Sequence, residues 1–292
     1  MIEVKFRRAF LLFLGMLSIV FGQSAVAQKK LQTSSHWVLQ LKKTKNILNQ
    51  RRIILILGQF YKQDSVAFSA IKQASIHQNK LIRASAMWAM RTMGTKALPI
   101  LLKGLFDRSS LVRASALEAI TKLNSHDPKV INAYVRLVSD RDRMIQIAAI
   151  QALAKLGQKA PLIAVQKIEA IGRRFLRRSY HKRPILLRNI MWALGQTARK
   201  STLSTTVSVL AKGSHNRNEG VRFLAIQSLK NPLYSSSKMA VLALQFRLRD
   251  RVRKTRNLAK KTLKKWKKPL IIPQKRDRLK RHHLKKKTLA KV

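Results

Sequence analysis

The sequence contains no cysteine. It therefore excludes disulfide bonds, thiolate zinc sites, a cysteine nucleophile and a cysteine for lipid attachment. This absence fits an extracytoplasmic protein, although it does not require one.

Acidic residues are scarce: 11 Asp and Glu stand against 62 Lys and Arg, which gives a formal net charge of +51. Several acids precede expected helices, where they complement the helix dipole, and we see no pair of carboxylates placed for acid–base chemistry. The 7 histidines are scattered, none lies at ligand spacing from a Glu, and no glycine-rich loop resembles a phosphate cradle. We therefore predict a protein that is not an enzyme, holds no metal or cofactor and attracts negatively charged partners.

The most informative stretch is residues 107–123. Its apolar side chains, from Val112 to Leu123, fall at helical spacing, so one stripe of the helix is apolar. Asp107 and Ser109 stand in front of that helix and supply the short polar side chains that cap a first turn. The small residues Ala116 and Ala119 allow a second helix to approach closely.

This pattern recurs six times, at residues 81–90, 107–123, 142–153, 185–194, 220–229 and 255–263. Equivalent positions in successive copies are 30, 33, 41, 35 and 34 residues apart. These positions are Arg83, Arg113, Gln146, Leu187, Arg222 and Arg256. Self-similarity at such a period is typical of a solenoid, in which stacked neighbours cover the apolar face that one repeat cannot cover alone.

A second amphipathic helix is expected before each copy, at 64–75, 95–105, 128–138, 158–172, 201–212 and 235–247. Gly94, Gly157 and Gly195 follow the repeated helix in three units, where we expect left-handed residues that end a helix. Each unit is thus predicted to be a helix–turn–helix hairpin.

The pattern resembles the HEAT-repeat family, in particular its short phycobilisome-lyase-like variety. The residues that carry the resemblance best are Asp107, Val112, Arg113, Ala116, Ala119 and Ile120. It implies an all-α, right-handed alpha-solenoid of about six to seven repeats, related to armadillo folds, that serves as a binding scaffold. It also implies that Arg83, Arg113 and Arg222 form an internal ladder with loop aspartates.

The HEAT-like DNA glycosylases, which are basic helical solenoids, offer a comparison. Trp88 and Trp192 occupy equivalent places in their units, but neither has an Asp beside it. We therefore favour packing between successive repeated helices as the role of both tryptophans.

The two ends of the chain differ from the repeats. Residues 1–27 read as a secretory signal peptide, with an uncleaved membrane anchor as the alternative. Residues 28–60 are predicted to be capping helices; Ile53–Leu57 is expected to be helical rather than a strand, ending at Gly58. The solenoid is assigned to 61–268, and 269–292 is a basic tail.

Two basic segments are the candidate anion-binding surfaces. The longest interval between repeats contains the cationic residues 173–183, with Phe175 and Tyr180 among them, and the charge density rises again from Arg247 onward. We also expect cations on the repeated helices to contribute, namely Arg91, Lys122, Arg188, Lys230 and Lys260. The candidate anion-binding residues are Arg173, Arg174, Arg177, Arg178, Lys182, Arg183, Arg188, Lys260, Lys264, Lys275, Arg276, Arg278, Lys280, Arg281, Lys285, Lys286 and Lys287.

The sequence therefore predicts an exported, periplasmic or secreted monomer that holds an anionic partner. The partner is expected to be an acidic protein or an anionic surface such as phospholipid, lipopolysaccharide or acidic polysaccharide. Nucleic acid, which the charge favours and the leader disfavours, is the alternative.

Overall fold

The computed structural model describes residues 33–177 and 183–271, and within these residues all regular secondary structure is helical. Contacts divide the chain into two units, one up to Ser125 and one from His126. The first unit contains α1 (Ser34–Lys43), α2 (Ile47–Phe60), α3 (Ser65–Ala74), α4 (Lys80–Met90), α5 (Leu98–Gly104) and α6 (Ser110–Leu123). The second contains α7 (Pro128–Leu137), α8 (Arg143–Lys155), α9 (Leu162–Arg177), α10 (Pro184–Gln196), α11 (Leu203–Gly213), α12 (Glu219–Leu229), α13 (Lys238–Phe246) and α14 (Arg253–Lys265).

Within each unit the helices pack as hairpins in two layers. In the first unit the repeated helices α4 and α6 pack together, and α4 also packs on α2. In the second unit one layer consists of α8, α10, α12 and α14, and the other layer consists of α7, α9, α11 and α13. The expected helical hairpins and the all-α solenoid class are confirmed.

The core follows the apolar stripe that the sequence pattern marks. Val112, Ala116 and Ile120 of α6 are fully buried, as are Val221 and Ala225 of α12. Small residues at the repeated alanine positions let successive helices approach, and apolar burial of this kind contributes about 25 cal/mol per Å². The repeats are therefore held together mainly by the face that recurs along the chain.

Short polar side chains begin most of the helices. Asn79 accepts a hydrogen bond from the Leu81 N–H at 2.8 Å, and Asp142 accepts from Met144 N–H at 2.8 Å. Such caps satisfy N–H groups that a first helical turn leaves without partners. Asp107 differs from the expectation, because its carboxylate accepts from Ser109 N–H in the preceding turn and faces Arg83 instead.

The glycines divide into two kinds. Gly94 and Gly157 have positive φ, as expected, at 72° and 56°, although ψ of −163° places Gly94 in an extended conformation that favours glycine rather than in the left-handed helical one. Gly58 and Gly195 lie inside α2 and α10, so the prediction that they end or follow helices was wrong. A Cβ at Gly195 would lie 2.7 Å from the Ser228 Cβ, which shows that Gly195 lets α10 approach α12 closely.

Candidate binding surface

The arginines that occupy the same position in different repeats, Arg83 and Arg222, are hydrogen-bonded within the protein and are not free to bind a ligand. In the first unit Arg83 is buried, and its Nε and Nη2 donate to the two Asp107 carboxylate oxygens at 2.8 and 2.9 Å. Its Nη1 donates to the carbonyl oxygens of His77 and Gln78 at 2.9 and 2.7 Å. The guanidinium thus joins its own loop to the loop of the next hairpin, as the family resemblance implies.

The second unit contains an equivalent arginine–aspartate contact between neighbouring loops. Arg222 Nε and Nη2 donate to the two Asp250 carboxylate oxygens at 2.8 and 3.1 Å, and Arg222 Nη1 donates to Asn216 O at 3.1 Å. Arg247 Nη1 adds a contact of 3.2 Å to Asp250 Oδ2. The equivalent positions Gln146 and Leu187 carry no guanidinium, and Gln146 donates instead to Val138 O at 2.8 Å.

The ladder carboxylates titrate below their usual range. Burial alone would raise the pKa of Asp107 and Asp250, but hydrogen bonds and positive charge from Arg83 and Arg222 outweigh burial, so each pKa is lowered from 3.8. A carboxylate with a depressed folded-state pKa stabilises the fold above its unfolded pKa of about 3.9 and loses that contribution as pH falls through the folded value.

We therefore expect the free energy of unfolding to fall as pH decreases from about 5 toward 2, as the ladder carboxylates protonate. Urea titrations at a series of pH values, followed by circular dichroism, measure this dependence. The double variant D107N/D250N is expected to be less stable at neutral pH and to show a shallower acid dependence. An unchanged slope in that variant would assign the acid sensitivity to other carboxylates.

Arg173, one of the candidate anion-binding residues, lies beside a buried carboxylate, that of Glu169, and the sequence pattern did not predict this contact. Glu169 of α9 is buried and accepts hydrogen bonds from Thr205 and Thr206 of α11 at 3.0 and 2.5 Å. Arg173 Nη1 lies 3.8 Å from Glu169 Oε2. Part of the charge of Arg173 is therefore used within the second unit, one helical turn after Glu169.

The neighbouring basic residues surround an aromatic ring. The guanidinium carbon of Arg183 lies 4.8 Å from the centre of the Phe175 ring, and that of Arg174 lies 6.0 Å from it. Phe175, Arg174 and Arg183 line a groove of about 720 Å³ together with residues 139–144, which are the loop before α8 and the first two residues of that helix. This segment contributes Asp140, Asp142, Arg141 and Arg143. Four arginines and two aspartates line this groove, so its charge is mixed with an excess of cations.

The cations of the other repeated helices are scattered or engaged. The Arg91 guanidinium carbon stacks 3.8 Å from the centre of the Trp88 ring, and burial lowers the Arg91 pKa. Arg188 is exposed, but its side chain lies along Gly220, where an added Cβ would be 3.1 Å from the Arg188 Cδ. Lys122 and Lys230 are exposed on the ends of their helices.

Helix α14 presents the most uniform cationic surface in the described part of the chain. It contains no acidic residue, and six of its cations are exposed. At about 100° per residue they form two rows on one side of the helix. One row is Arg253, Lys260 and Lys264, and the other is Lys254, Lys261 and Lys265. We call this surface the α14 basic face.

The opposite side of α14 fixes that surface in place. Thr255, Ala259, Thr262 and Leu263 are buried against the second unit, so the helix is packed and amphipathic. The two rows are therefore held in one orientation by the fold. Because the rows lie within a helix of about 20 Å, their fields overlap at a Debye length of about 10 Å.

Most of the remaining candidate anion-binding residues lie outside the described residues. Arg177 ends α9, but its side chain is not described. The candidates outside the described residues are Arg178, Lys182, Lys275, Arg276, Arg278, Lys280, Arg281, Lys285, Lys286 and Lys287. Of the candidates that are described, Lys260 and Lys264 lie together on the α14 basic face.

The described residues form neither a metal-binding cluster nor a membrane-spanning helix. No three His, Asp or Glu side chains of residues 33–177 and 183–271 are grouped so that they could hold a metal ion. In that same part of the chain, every helix is too short or too polar to cross a bilayer.

Comparisons with known proteins agree with the geometry. Residues 82–107 match the model of the PBS lyase HEAT-like repeat, and residues 98–179 match that of HEAT repeats. No curated protein sequence matches the chain. An engineered protein of known structure superposes with a TM-score of 0.52 at 16% identity, over 82% of this chain and 69% of that protein.

Two further structures are similar at lower scores. A designed armadillo repeat protein has a TM-score of 0.35 and 17% identity, over 80% of this chain and 99% of its own. Human deoxyhypusine hydroxylase in complex with glycerol has a TM-score of 0.36 and 18% identity, over 91% of both chains.

Proposed function

We propose, from the premise that the chain is a HEAT-repeat alpha-solenoid, that it is a non-catalytic, exported binding scaffold. In this proposal the α14 basic face and the basic tail that follows it hold an acidic protein or an anionic component of the cell envelope. Export rests on the leader predicted for residues 1–27.

The observation that carries the proposal is the double row of exposed cations on α14. Arg83 and Arg222 are engaged in the ladder, Arg173 pairs with Glu169, and Arg91 stacks on Trp88. The six exposed cations of α14 have no acid on their own helix. Charges that a packed helix holds in place need less ordering on binding, so they favour association with an extended anionic surface.

Binding to a soluble acidic probe tests the proposal. Fluorescence anisotropy with labelled polyglutamate is expected to show salt-dependent binding by the full chain, because exposed charges are screened by added salt. The variant K260E/K264E, which reverses two charges in one row of α14, is expected to bind about tenfold more weakly, since these cations face solvent and approach the probe directly.

The matched control is K72E/K103E. Lys72 and Lys103 are exposed on α3 and α5 of the first unit, and their reversal changes the net charge by the same amount. We expect this control to stay within about twofold of the wild type. Equal losses in the two variants would show that total charge, and not the α14 basic face, governs binding. A duplex nucleic acid bound much more tightly than polyglutamate would favour the alternative partner.

A further inference from the structure

The chain after α14 turns back in a defined way. Lys267 has φ of 53°, the Lys267 N–H donates to Lys264 O at 3.0 Å, and the Lys268 N–H donates to Leu263 O at 2.9 Å. These two bonds satisfy carbonyl groups that the helix end leaves free, in the pattern of a Schellman motif. The direction of the chain beyond α14 is therefore set by the backbone.

A second contact holds the segment that follows. Gln245 of α13 is buried, and its Nε2 donates to Pro269 O at 3.0 Å. Residues 268–271 are thus attached at both the Schellman turn and α13. Because the anchor lies directly before Leu270, the next two side chains have a defined place on the hairpin of α13 and α14, which we call the terminal hairpin.

Leu270 and Ile271 expose apolar surface at that place. Leu270 is 39% exposed and Ile271 is 65% exposed. Only Pro269 separates them from Lys267 and Lys268, and the exposed Lys264 and Lys265 end the α14 basic face. Trp266 is half-buried between these groups, and its indole nitrogen is buried without a hydrogen-bond partner. We call Leu270 and Ile271 the apolar tip.

The combination of an apolar tip and a cationic field matches one surface chemically. A bilayer containing anionic phospholipid offers negative headgroups to the lysines and an acyl boundary to Leu270 and Ile271. A nucleic acid or an acidic polysaccharide would engage the lysines but leave the tip in water. Exposed apolar side chains next to lysines are the composition with which peripheral segments enter the boundary between headgroups and acyl chains.

We propose that the terminal hairpin docks on an anionic phospholipid bilayer, with the α14 basic face against the headgroups and the apolar tip inserted beyond them. This assignment rests on the proposed function, because it uses the same cations, and it names the bilayer as their partner. The Schellman turn at Lys267 and the Gln245 contact to Pro269 hold the chain that leads to the tip, which begins five residues after Lys265, the last lysine of the α14 basic face.

Vesicle binding by three full-length chains tests the assignment. The probes are vesicles of phosphatidylcholine alone and vesicles of phosphatidylcholine with phosphatidylglycerol at about three to one, at low and high salt. The chains are the wild type, L270S/I271S, which keeps every charge, and K260E/K264E, which keeps the tip. Each chain carries the same N-terminus, so differences between them report only the substituted residues.

We expect the wild type to sediment with phosphatidylglycerol vesicles, to bind phosphatidylcholine weakly, and to retain part of its binding at high salt through apolar insertion. L270S/I271S is expected to bind the anionic vesicles about tenfold more weakly and to lose the salt-resistant part. K260E/K264E is expected to bind the anionic vesicles about tenfold more weakly at low salt and to keep the salt-resistant part.

The outcomes separate the two proposals. If L270S/I271S binds anionic vesicles as the wild type does, with the same salt dependence, the bilayer assignment is overturned. The same holds if the wild type binds polyglutamate through α14 but no vesicle, or prefers duplex nucleic acid to vesicles. If neither polyglutamate nor anionic vesicles are bound, the proposed function itself fails. A circular dichroism spectrum and a urea midpoint equal to those of the wild type show that L270S/I271S is folded.

Discussion

Replacing Asp250 with alanine is expected to lower the free energy of unfolding by about 3 kcal/mol, because removal of one partner leaves a buried charge uncompensated. The Asp250 side chain is 1% exposed and accepts from Arg222, Arg247 and the Val252 N–H. The loss of this one carboxylate therefore removes the acceptor of Arg222 Nε and Nη2, of Arg247 Nη1 and of the Val252 N–H.

Urea unfolding followed by circular dichroism measures this effect. Glu219→Ala is the matched control, since Glu219 is an exposed acid at the start of α12, near Arg222 in sequence, and its loss is expected to cost less than about 0.5 kcal/mol. Asp250→Asn keeps an acceptor oxygen and should fall between the two. A loss below about 1 kcal/mol for Asp250→Ala would show that the ladder contributes little stability beyond the apolar packing.

The helices and their repeat were predictable because their signals are local. Apolar residues at helical spacing in residues 107–123 recur about every 34 residues, and that spacing is enough to predict hairpins that stack. Lys260 and Lys264 were also predictable as surface cations, since the apolar stripe of α14 through Ala259 and Leu263 assigns them to the opposite side.

Contacts between distant residues were not predictable in the same way. Glu169 and Thr206 are separated by 37 residues in the chain, and no short pattern marks that they meet. The cationic pattern of 173–183 did not reveal the carboxylate of Glu169 beside Arg173, nor the two aspartates and two further arginines of residues 140–143 that line the adjacent groove. Lys267 in a left-handed conformation was equally hidden, because glycine is the usual residue there.

Glycine has two meanings that the sequence alone does not separate. Gly94 has a positive φ and no atom within 4 Å of a built Cβ, so its role is conformational. Gly58 lies inside α2, and a Cβ there would be 2.6 Å from the Ala89 Cβ and 2.8 Å from the Ala89 backbone oxygen. Gly58 therefore permits close contact between α2 and α4, which the expectation of a helix end at Gly58 had missed.

Gly58→Leu is consequently expected to lower the free energy of unfolding by about 3 kcal/mol, because an overpacked core must shift backbone when its neighbour cannot move aside. The neighbour here is backbone of α4, and Thr92 Oγ1 also donates to Gly58 O at 2.5 Å, so separation of the two helices would break that contact. Gly94→Ala, which introduces only backbone strain at a positive φ, should cost about 1 kcal/mol in the same urea titration. Similar losses for the two variants would mean that α2 and α4 can separate at little cost, and that the small residue at Gly58 is not what sets their distance.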